Sequence, residues 1–410
     1  MKKTRQFLLI ILLTIVLFPA EIPAGVRILP LLNMDISGGN SFFEGEASSF
    51  AGNLHMDFVP VIRFNQRTSL LPKYTGIYTG TSVAMDIEDE DYLYQQSQDH
   101  SGSLKLIHKL SDRLKLKLSG GYITELLRET KDESWGEGLY DYDSTYGELE
   151  FEERFQTSLP FIIKAGYRYY TMRFPNYESL ASEEDMELIG KNIFDTDNSS
   201  FFLKSDIFLP LDVHNRWEYS YNRSKYLDQK LVTDAGDYSE EKRLNQTHKL
   251  KCTLYYTLPE SNSWRARRAG HKTYLRLFLS WKQRISNQNH FNTDVLTFIS
   301  DYYSYTKLGI GPSVTVKFVP SNIKFYLGYE YSRKQYKERP VQDEDGYYED
   351  DKFFSDTSII SLGIYYPLTK SLTLNLSGNY SDVRSNTEYE AYYSYNYSSA
   401  NYLLGVSYEY

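Results

Sequence analysis

The chain has 410 residues, a formal net charge of −9 and a single cysteine, Cys252. This acidic balance argues against general affinity for nucleic acid, whose phosphates attract basic proteins. One cysteine can form no internal disulfide and cannot build a metal site from cysteine ligands. Only 41% of the residues are hydrophobic, yet there are 39 tyrosines and 22 phenylalanines. The fold must therefore accommodate many aromatic residues in a mostly polar chain.

The first 24 residues have the layout of a secretory signal peptide. A basic stretch, MKKTRQ, precedes the apolar run FLLIILLTIVLF, and PAEIPAG follows it. The run is shorter than the ~20 residues that a membrane-spanning helix needs. We predict cleavage after Ala24, which leaves residues 25–410 as one exported domain. The alternative is a retained anchor helix.

The rest of the chain alternates apolar and polar residues with a period of two. In SGSLKLIHKL (101–110), Leu104 and Leu106 point one way and Lys105 points the other. LKLKLSGGY (114–122) and SLTLNLSGNY (371–380) repeat the pattern. Helices need apolar residues three and four positions apart, so these segments are predicted to be strands. A transmembrane β-barrel fits the composition, because only alternate residues meet lipid and aromatic residues concentrate at the membrane interfaces.

Short and long polar connections alternate along the chain. Short turns are predicted near residues 65, 112, 160, 214, 320 and 367, with a longer basic connection at 259–272. Long loops are predicted at 81–100, 127–145, 174–199, 228–243, 285–300, 337–353 and 385–398. With a hairpin formed by 31–43 and 49–58, about sixteen strands result, and fourteen or eighteen stay open. We predict an all-β, antiparallel up-and-down barrel with short periplasmic turns, long extracellular loops and both termini in the periplasm.

The last residues, NYLLGVSYEY, keep the alternation to the final position. The residues on one face are Tyr402, Leu404, Val406, Tyr408 and Tyr410. This strand should pair with the first, because an open edge in lipid leaves backbone groups without hydrogen bonds. An aromatic final residue after alternating hydrophobic positions resembles the C-terminal signature of bacterial outer-membrane proteins. The resemblance implies an outer-membrane location, contact with lipid and lipopolysaccharide, and recognition of this segment by the barrel-assembly machinery.

The alternation also assigns side chains to the lumen. The residues that we predict to govern selectivity there are Lys105, Lys109, Lys115, Lys117, Lys164, Arg168, Lys317 and Lys324. Other basic residues predicted to point inward include Lys249, Lys251, Arg276, Lys282 and Lys307. Inward basic residues outnumber inward acidic ones, and rings of lysine or arginine favour anions in a pore. The sequence favours a channel for small anionic solutes. The simpler alternative is that lysine only keeps the lumen solvated.

Other functions stay open. A barrel of this size could export a secreted acidic polysaccharide with a separate periplasmic partner, or act as a structural or adhesive surface protein. The acidic runs at 86–91, 182–187 and 343–351 are interpreted as solvated loop tips. The alternative is that these acidic runs bind divalent cations that bridge neighbouring lipopolysaccharide. Residues 174–199 are the longest candidate for a constricting loop, although an ordinary surface loop is the simpler interpretation.

No enzymatic site is predicted. The seven histidines are not spaced as metal ligands, and no G-x-S-x-G motif occurs. Asp99 and His100 are the one candidate acid–base pair, of the kind that outer-membrane proteases use. We predict no cofactor, no metal and no nucleic-acid partner. The uniformly apolar outward bands favour a monomer.

Overall fold

The strands of this protein were located in a computed structural model. It describes residues 26–43, 46–87, 91–129, 133–177, 192–258, 270–293, 296–389 and 395–410, with the backbone alone at 46–50, 81–87 and 91–95. The predicted signal peptide, the middle of the predicted constricting loop and the acidic run at 182–187 lie outside these residues.

The alternating segments form strands that close into a barrel. In chain order the strands are β1 (Arg27–Phe43), β2 (Glu46–Arg63), β3 (Thr68–Ile87), β4 (Asp91–Lys109), β5 (Leu114–Arg128), β6 (Tyr142–Phe155), β7 (Phe161–Met172), β8 (Thr196–Leu209), β9 (Val213–Val232), β10 (Tyr238–Thr257), β11 (His271–Ser286), β12 (His290–Asn292), β13 (Thr297–Ile299), β14 (Tyr305–Phe318), β15 (Lys324–Gln342), β16 (Tyr348–Pro367), β17 (Leu372–Ser385) and β18 (Tyr397–Glu409). All except β12 and β13 form one closed antiparallel barrel in which sequence neighbours pair, β11 pairs with β14, and β18 pairs with β1. The predicted sixteen-stranded up-and-down barrel is confirmed.

The barrel has two distinct ends, which we call the turn end and the loop end. The turn end carries short connections such as 64–67, 210–212 and 368–371, and also the outer ends of β1 and β18. The loop end carries the longer connections, including the β11–β14 segment 287–304, in which β12 and β13 form a small hairpin. No helix in the described part of the chain is long and apolar enough to span a membrane.

Several predicted long loops are largely strand. The prediction of loops at 81–100, 228–243 and 337–353 is wrong in extent, because β3, β9 and β15 continue to Ile87, Val232 and Gln342. Beyond the lipid zone both faces of a hairpin meet water, so the apolar alternation stops while backbone pairing continues. Register shifts mark this change, for example between Gln335 and Pro340 in β15. A proline cannot donate to the ladder, which places it at such irregular sites.

The outer face of the barrel is apolar. Leu308, Leu362 and Leu404 are 57%, 55% and 56% exposed, respectively, and Trp217 also lies exposed on this face. Side chains of this kind would not remain in water in such numbers, whereas lipid covers them at no cost. The alternation therefore builds a membrane-facing surface outside and a polar one inside.

The first and last strands form the seam that closes the barrel. Their register runs from Asn33 opposite Glu409 to Phe43 opposite Ser399. Beyond the last strand residue, the N–H of Tyr410 donates to the carbonyl of Leu32 at 2.8 Å, and the N–H of Leu32 donates back at 3.1 Å. The expectation that the last strand pairs with the first is confirmed.

Candidate functional site in the lumen wall

The inward faces of the strands surround a common space. A cavity of about 380 Å³ is lined by residues of seven adjacent strands, β5 to β11. Its lining includes Ile123, Arg168, Ser220, Thr247 and Lys282. Residues that stand opposite each other on paired strands share a face, so the register extends this inward assignment around the barrel.

The register places all eight predicted selectivity residues on inward faces. Lys105, Ser119, Glu148 and Arg168 stand opposite one another across β4 to β7, and Arg168 lines the cavity. Lys109, Lys115, Lys117 and Lys164 lie at other inward positions of the same strands, and Lys317 and Lys324 face each other on β14 and β15. Their role in selectivity stays a prediction.

On β5 and β6, glutamates neutralise the inward lysines. Lys115 donates to Glu152 at 2.6 Å, and Lys117 donates to Glu150 and Glu152 at 2.5 Å each. The Lys117 side chain is only 12% exposed, and both glutamates are 10% exposed. These four charges cancel as a network, so Lys115 and Lys117 offer little net positive potential to a solute.

The next strands continue this pairing. Lys164 lies 3.3 Å from Asp206, which also accepts hydrogen bonds from Arg216 at 2.7 Å and from His214 at 2.9 Å. Arg168 instead lies over the ring of Tyr146, with its guanidinium carbon 4.0 Å from the ring centroid. Among the described residues, neither Lys105 nor Lys109 has a carboxylate oxygen within 4.0 Å.

The strongest basic feature is a row of four lysines in direct register. Lys249 on β10 faces Lys282 on β11, Lys282 faces Lys307 on β14, and Lys307 faces Lys334 on β15. We call these four residues the lysine row. Like charges directly opposite each other destabilise a sheet, and no described carboxylate oxygen lies within 4.0 Å of any of them. In the described part of the chain, the sheet therefore keeps four lysines side by side without a carboxylate partner.

The inward faces of β10, β11, β14 and β15 form what we call the basic wall. Besides the lysine row it carries Lys251, Lys272, Arg276, Arg284, Lys317 and Lys324. Where the strand register is regular, over 245–257, 271–286, 305–318 and 324–336, the acidic residue at an inward position is Glu330. Arg276 and Arg284 each have a buried Nε atom with no hydrogen-bond acceptor among the described residues. Aromatic rings take the place of carboxylates: the Nζ atoms of Lys282 and Lys334 lie 5.2 and 4.5 Å from the Tyr305 ring centroid.

Sequence reasoning missed Lys334 as a member of this wall. Lys324 was predicted to point inward, and the same alternation continued along β15 reaches Lys334. The alternation therefore contained the signal for Lys334, which lies just before the predicted loop at 337–353. Lys249, Lys282 and Lys307 were predicted to point inward, although their alignment in one row requires the register of four strands.

An arginine and tyrosine layer covers the basic wall at the loop end. The guanidinium carbon of Arg243 lies 4.7 and 4.8 Å from the ring centroids of Tyr226 and Tyr303. That of Arg339 lies 4.5 Å from the Phe353 ring and 5.3 Å from the Tyr302 ring. Tyr302 and Tyr303 belong to the 287–304 segment, so this loop packs against the inner wall. The predicted candidate for such a loop was 174–199, most of which lies outside the described residues.

Burial shifts the pKa values of two side chains in this loop. Burial, with Arg339 nearby, lowers the pKa of His290 from its usual 6.5. Burial raises the pKa of Tyr302 to about 12, against the opposing effect of Arg339. His290 packs against Tyr302 with ring centroids 4.5 Å apart and the ring planes tilted by 31°, and it lies 3.3 Å from the Tyr348 hydroxyl. The loop is therefore packed in its neutral form.

Asp99 and His100 do not form an acid–base pair. The register places Asp99 opposite Ile77 and Glu125 on the inward face, whereas His100 stands opposite Gly76 on the outward face. His100 lies 2.9 Å from the hydroxyl of Tyr74. No group of three or more potential metal ligands occurs within the described ranges.

The C-terminal residues lie where the alternation predicts. Tyr402 and Leu404 are 59% and 56% exposed on the outer face, Val406 is 38% exposed, and Tyr408 pairs with Met34 of β1. Tyr410 is 69% exposed at the turn end. Their role as a signal for the barrel-assembly machinery stays a prediction.

The closed sixteen-stranded barrel with an apolar outer face makes this chain a β-barrel of the bacterial outer-membrane class. No family model and no curated protein matches the sequence. Among solved structures it is similar to OmpT, an outer-membrane protein of Vibrio cholerae, at 13% identity and a TM-score of 0.47 over 95% of this chain and 99% of that one.

Two further solved barrels give the same result. OccAB1 of Acinetobacter baumannii is 9% identical with a TM-score of 0.48, over 93% of this chain and 96% of that one. OccD3 of Pseudomonas aeruginosa is 10% identical with a TM-score of 0.44, over 94% and 93% of the two chains. These similarities concern the fold alone.

Proposed function

We propose that this protein is an outer-membrane channel that passes small anionic solutes along its basic wall. The observation that carries the proposal is the lysine row, in which Lys249, Lys282, Lys307 and Lys334 stand opposite one another without carboxylate partners. A barrel of sixteen strands is wide enough to enclose an aqueous channel. Cations that project into such a channel lower the energy of an anion there and raise that of a cation.

The other strands of the barrel carry less unbalanced positive charge on their inward faces, so the electrostatic field in the lumen is uneven. The inward faces of β16 and β17 carry uncharged side chains such as Thr357, Ser361, Asn375 and Asn379. On β1 to β3, Asp57 pairs with Lys73 at 2.9 Å. The unbalanced positive charge is therefore densest on the basic wall, and an anion would travel along it. In this proposal the loop end faces the exterior of the cell and both termini lie in the periplasm.

The test is the reversal potential of the refolded protein in a planar lipid bilayer under a potassium chloride gradient. Stable open events support the proposal if the reversal potential lies closer to the equilibrium potential of chloride than to that of potassium. A cation-selective or unselective current would overturn the anionic preference. A silent bilayer, from protein that migrates as a folded barrel until heated in SDS, would overturn the channel itself.

A further inference from the structure

The basic wall carries more positive charge than a single small anion can use. A monovalent anion at the lysine row can approach one or two lysines and leaves the repulsion among the others in place. Adjacent strands lie ~4.8 Å apart, so the row spans ~14 Å. A ligand whose own negative charges repeat at about 5 Å can meet several of these lysines at once and relieve their mutual repulsion.

The direction of the row also suits an extended ligand. Register lines run across the strands, and barrel strands tilt by ~35–45° from the membrane normal. The row is therefore inclined to the pore axis, and a chain that moves along the axis meets its lysines one after another. Further along β14, from Lys307 to Lys317, the wall continues for roughly 34 Å of strand and reaches Lys324. Positive charge thus accompanies the path over most of its length.

Unused donors and aromatic rings lie beside this path. The buried Nε atoms of Arg276 and Arg284 have no acceptor among the described residues, although buried guanidinium donors are normally satisfied. Two residues beyond the lysine row towards the loop end, Arg284, Tyr305 and Tyr336 stand in register on the same inward face. Nearer the turn end, Tyr274 and Tyr326 each stand opposite Thr315, one on either side of β14. Cations that alternate with rings would suit a linear chain of anionic units.

We infer that the ligand of the basic wall is a linear oligoanion with several charges, and that affinity rises with the number of charged units. This inference rests on the proposed channel function and specifies its substrate class. Carboxylated sugars and polyphosphates share the required chemistry of repeated anionic groups on an extended chain. The multivalent effect follows because each further unit binds within a chain already held at the wall.

The experiment measures block of the chloride current in planar bilayers at ~0.1 M salt, where charges within about 10 Å still interact. One series uses galacturonic acid and its dimer, tetramer and hexamer, and a second uses phosphate, tripolyphosphate and longer polyphosphate. Maltohexaose is the uncharged control. We expect the half-blocking concentration to fall at least about tenfold from the first to the longest member of one series or both. The series with the steeper dependence identifies the source of the ligand.

The variants locate the effect at the lysine row. Lys282→Gln combined with Lys307→Gln should flatten the dependence on chain length, whereas Lys370→Gln in the turn at 368–371 should leave it unchanged. If the double variant does not fold, the wild-type protein still decides, because the length dependence should disappear near 1 M salt, where screening extends only ~3 Å.

The outcomes separate this inference from the proposed function. An anion-selective current with half-blocking concentrations that do not change with charge number overturns the inference and leaves the channel proposal standing. Equal block by maltohexaose and by the charged hexamer would likewise overturn it, because size rather than charge would then govern binding. Loss of anion selectivity in the wild type overturns both.

Discussion

Reversing the charge of one member of the lysine row should change the ion selectivity of the proposed channel by a measurable factor. Lys307 is the best position, because it stands between Lys282 and Lys334 and has no described carboxylate within 4.0 Å. Lys307→Glu also places a carboxylate between two lysines, where it can form ion pairs. The substitution should therefore leave the fold intact while it removes positive potential from the centre of the row.

The magnitude follows from Coulomb's law. An ion that passes ~7 Å from the side chain in water interacts with it by ~0.6 kcal/mol, and screening at 0.1 M salt halves this to ~0.3 kcal/mol. Reversal from +1 to −1 changes the interaction energy of each ion by twice this amount, ~0.6 kcal/mol, which is about a threefold change in its Boltzmann factor. Anions lose this factor and cations gain it, so the ratio of anion to cation permeability should fall about sevenfold.

The assay is the reversal potential of Lys307→Glu under a potassium chloride gradient, beside the wild type and Lys370→Glu. The control changes the net charge equally but lies in the turn at 368–371. In ~1 M salt the effect should shrink to less than twofold, because the Debye length is then only ~3 Å. A wild-type reversal potential in Lys307→Glu at low salt, with Lys370→Glu also unchanged, would refute the assignment of the lysine row to the conduction path.

Three further predictions concern stability and the loop. Gly39→Ala should prevent closure of the seam, because its new Cβ would overlap the carbonyl oxygen of Tyr402, whereas Gly147→Ala has open space and should fold normally in a heat-modifiability gel. Lys117→Met should lower the free energy of unfolding by ~1–3 kcal/mol, measured by urea titration in micelles, because it leaves a buried carboxylate short of a donor. The loop that carries His290 should loosen as the pH falls below about 6.5, seen as faster hydrogen exchange, since the folded form disfavours the protonated imidazole.

Each of these has a clear contrary result. Normal folding of Gly39→Ala would show that the seam can shift to accept a methyl group. Equal unfolding midpoints for Lys117→Met and the wild type at neutral pH would show that the carboxylates do not depend on this lysine. The sign of the pH effect is fixed because the pKa of His290 is lowered, so the unfolded loop binds the proton more strongly. Identical exchange at pH 8 and pH 5, after correction for the intrinsic rate, would refute the last prediction.

The alternation of the sequence was sufficient to predict the barrel and the orientation of its side chains. A strand that crosses lipid must place apolar residues such as Leu104 and Leu118 outside, so the lysines between them point inward. Alternation does not contain the partners of those lysines. Lys115 and Lys117 are neutralised by glutamates of the next strand, which depends on the geometry of the intervening loop.

The basic wall and the inner loop were beyond sequence reasoning for a related reason. The alignment of Lys249 with Lys334 depends on three successive strand registers, each set by its own connection. The inward packing of Tyr302 depends on Arg339, which follows a register shift in β15. A sequence pattern that concerns one strand at a time carries no information on such contacts.

The seam has a consequence for the order in which the protein assembles. Within the barrel, pairs of neighbouring strands are joined by a hairpin or by a single loop, so they can form as local units. The contact between β1 and β18 joins opposite ends of the sequence and therefore has the largest loop-closure entropy. A curved sheet with two unsatisfied edges should precede the closed barrel, and the backbone exchange between Leu32 and Tyr410 should form last. A substitution at the seam that still permits closure would then act on the rate of maturation more than on the properties of the finished barrel.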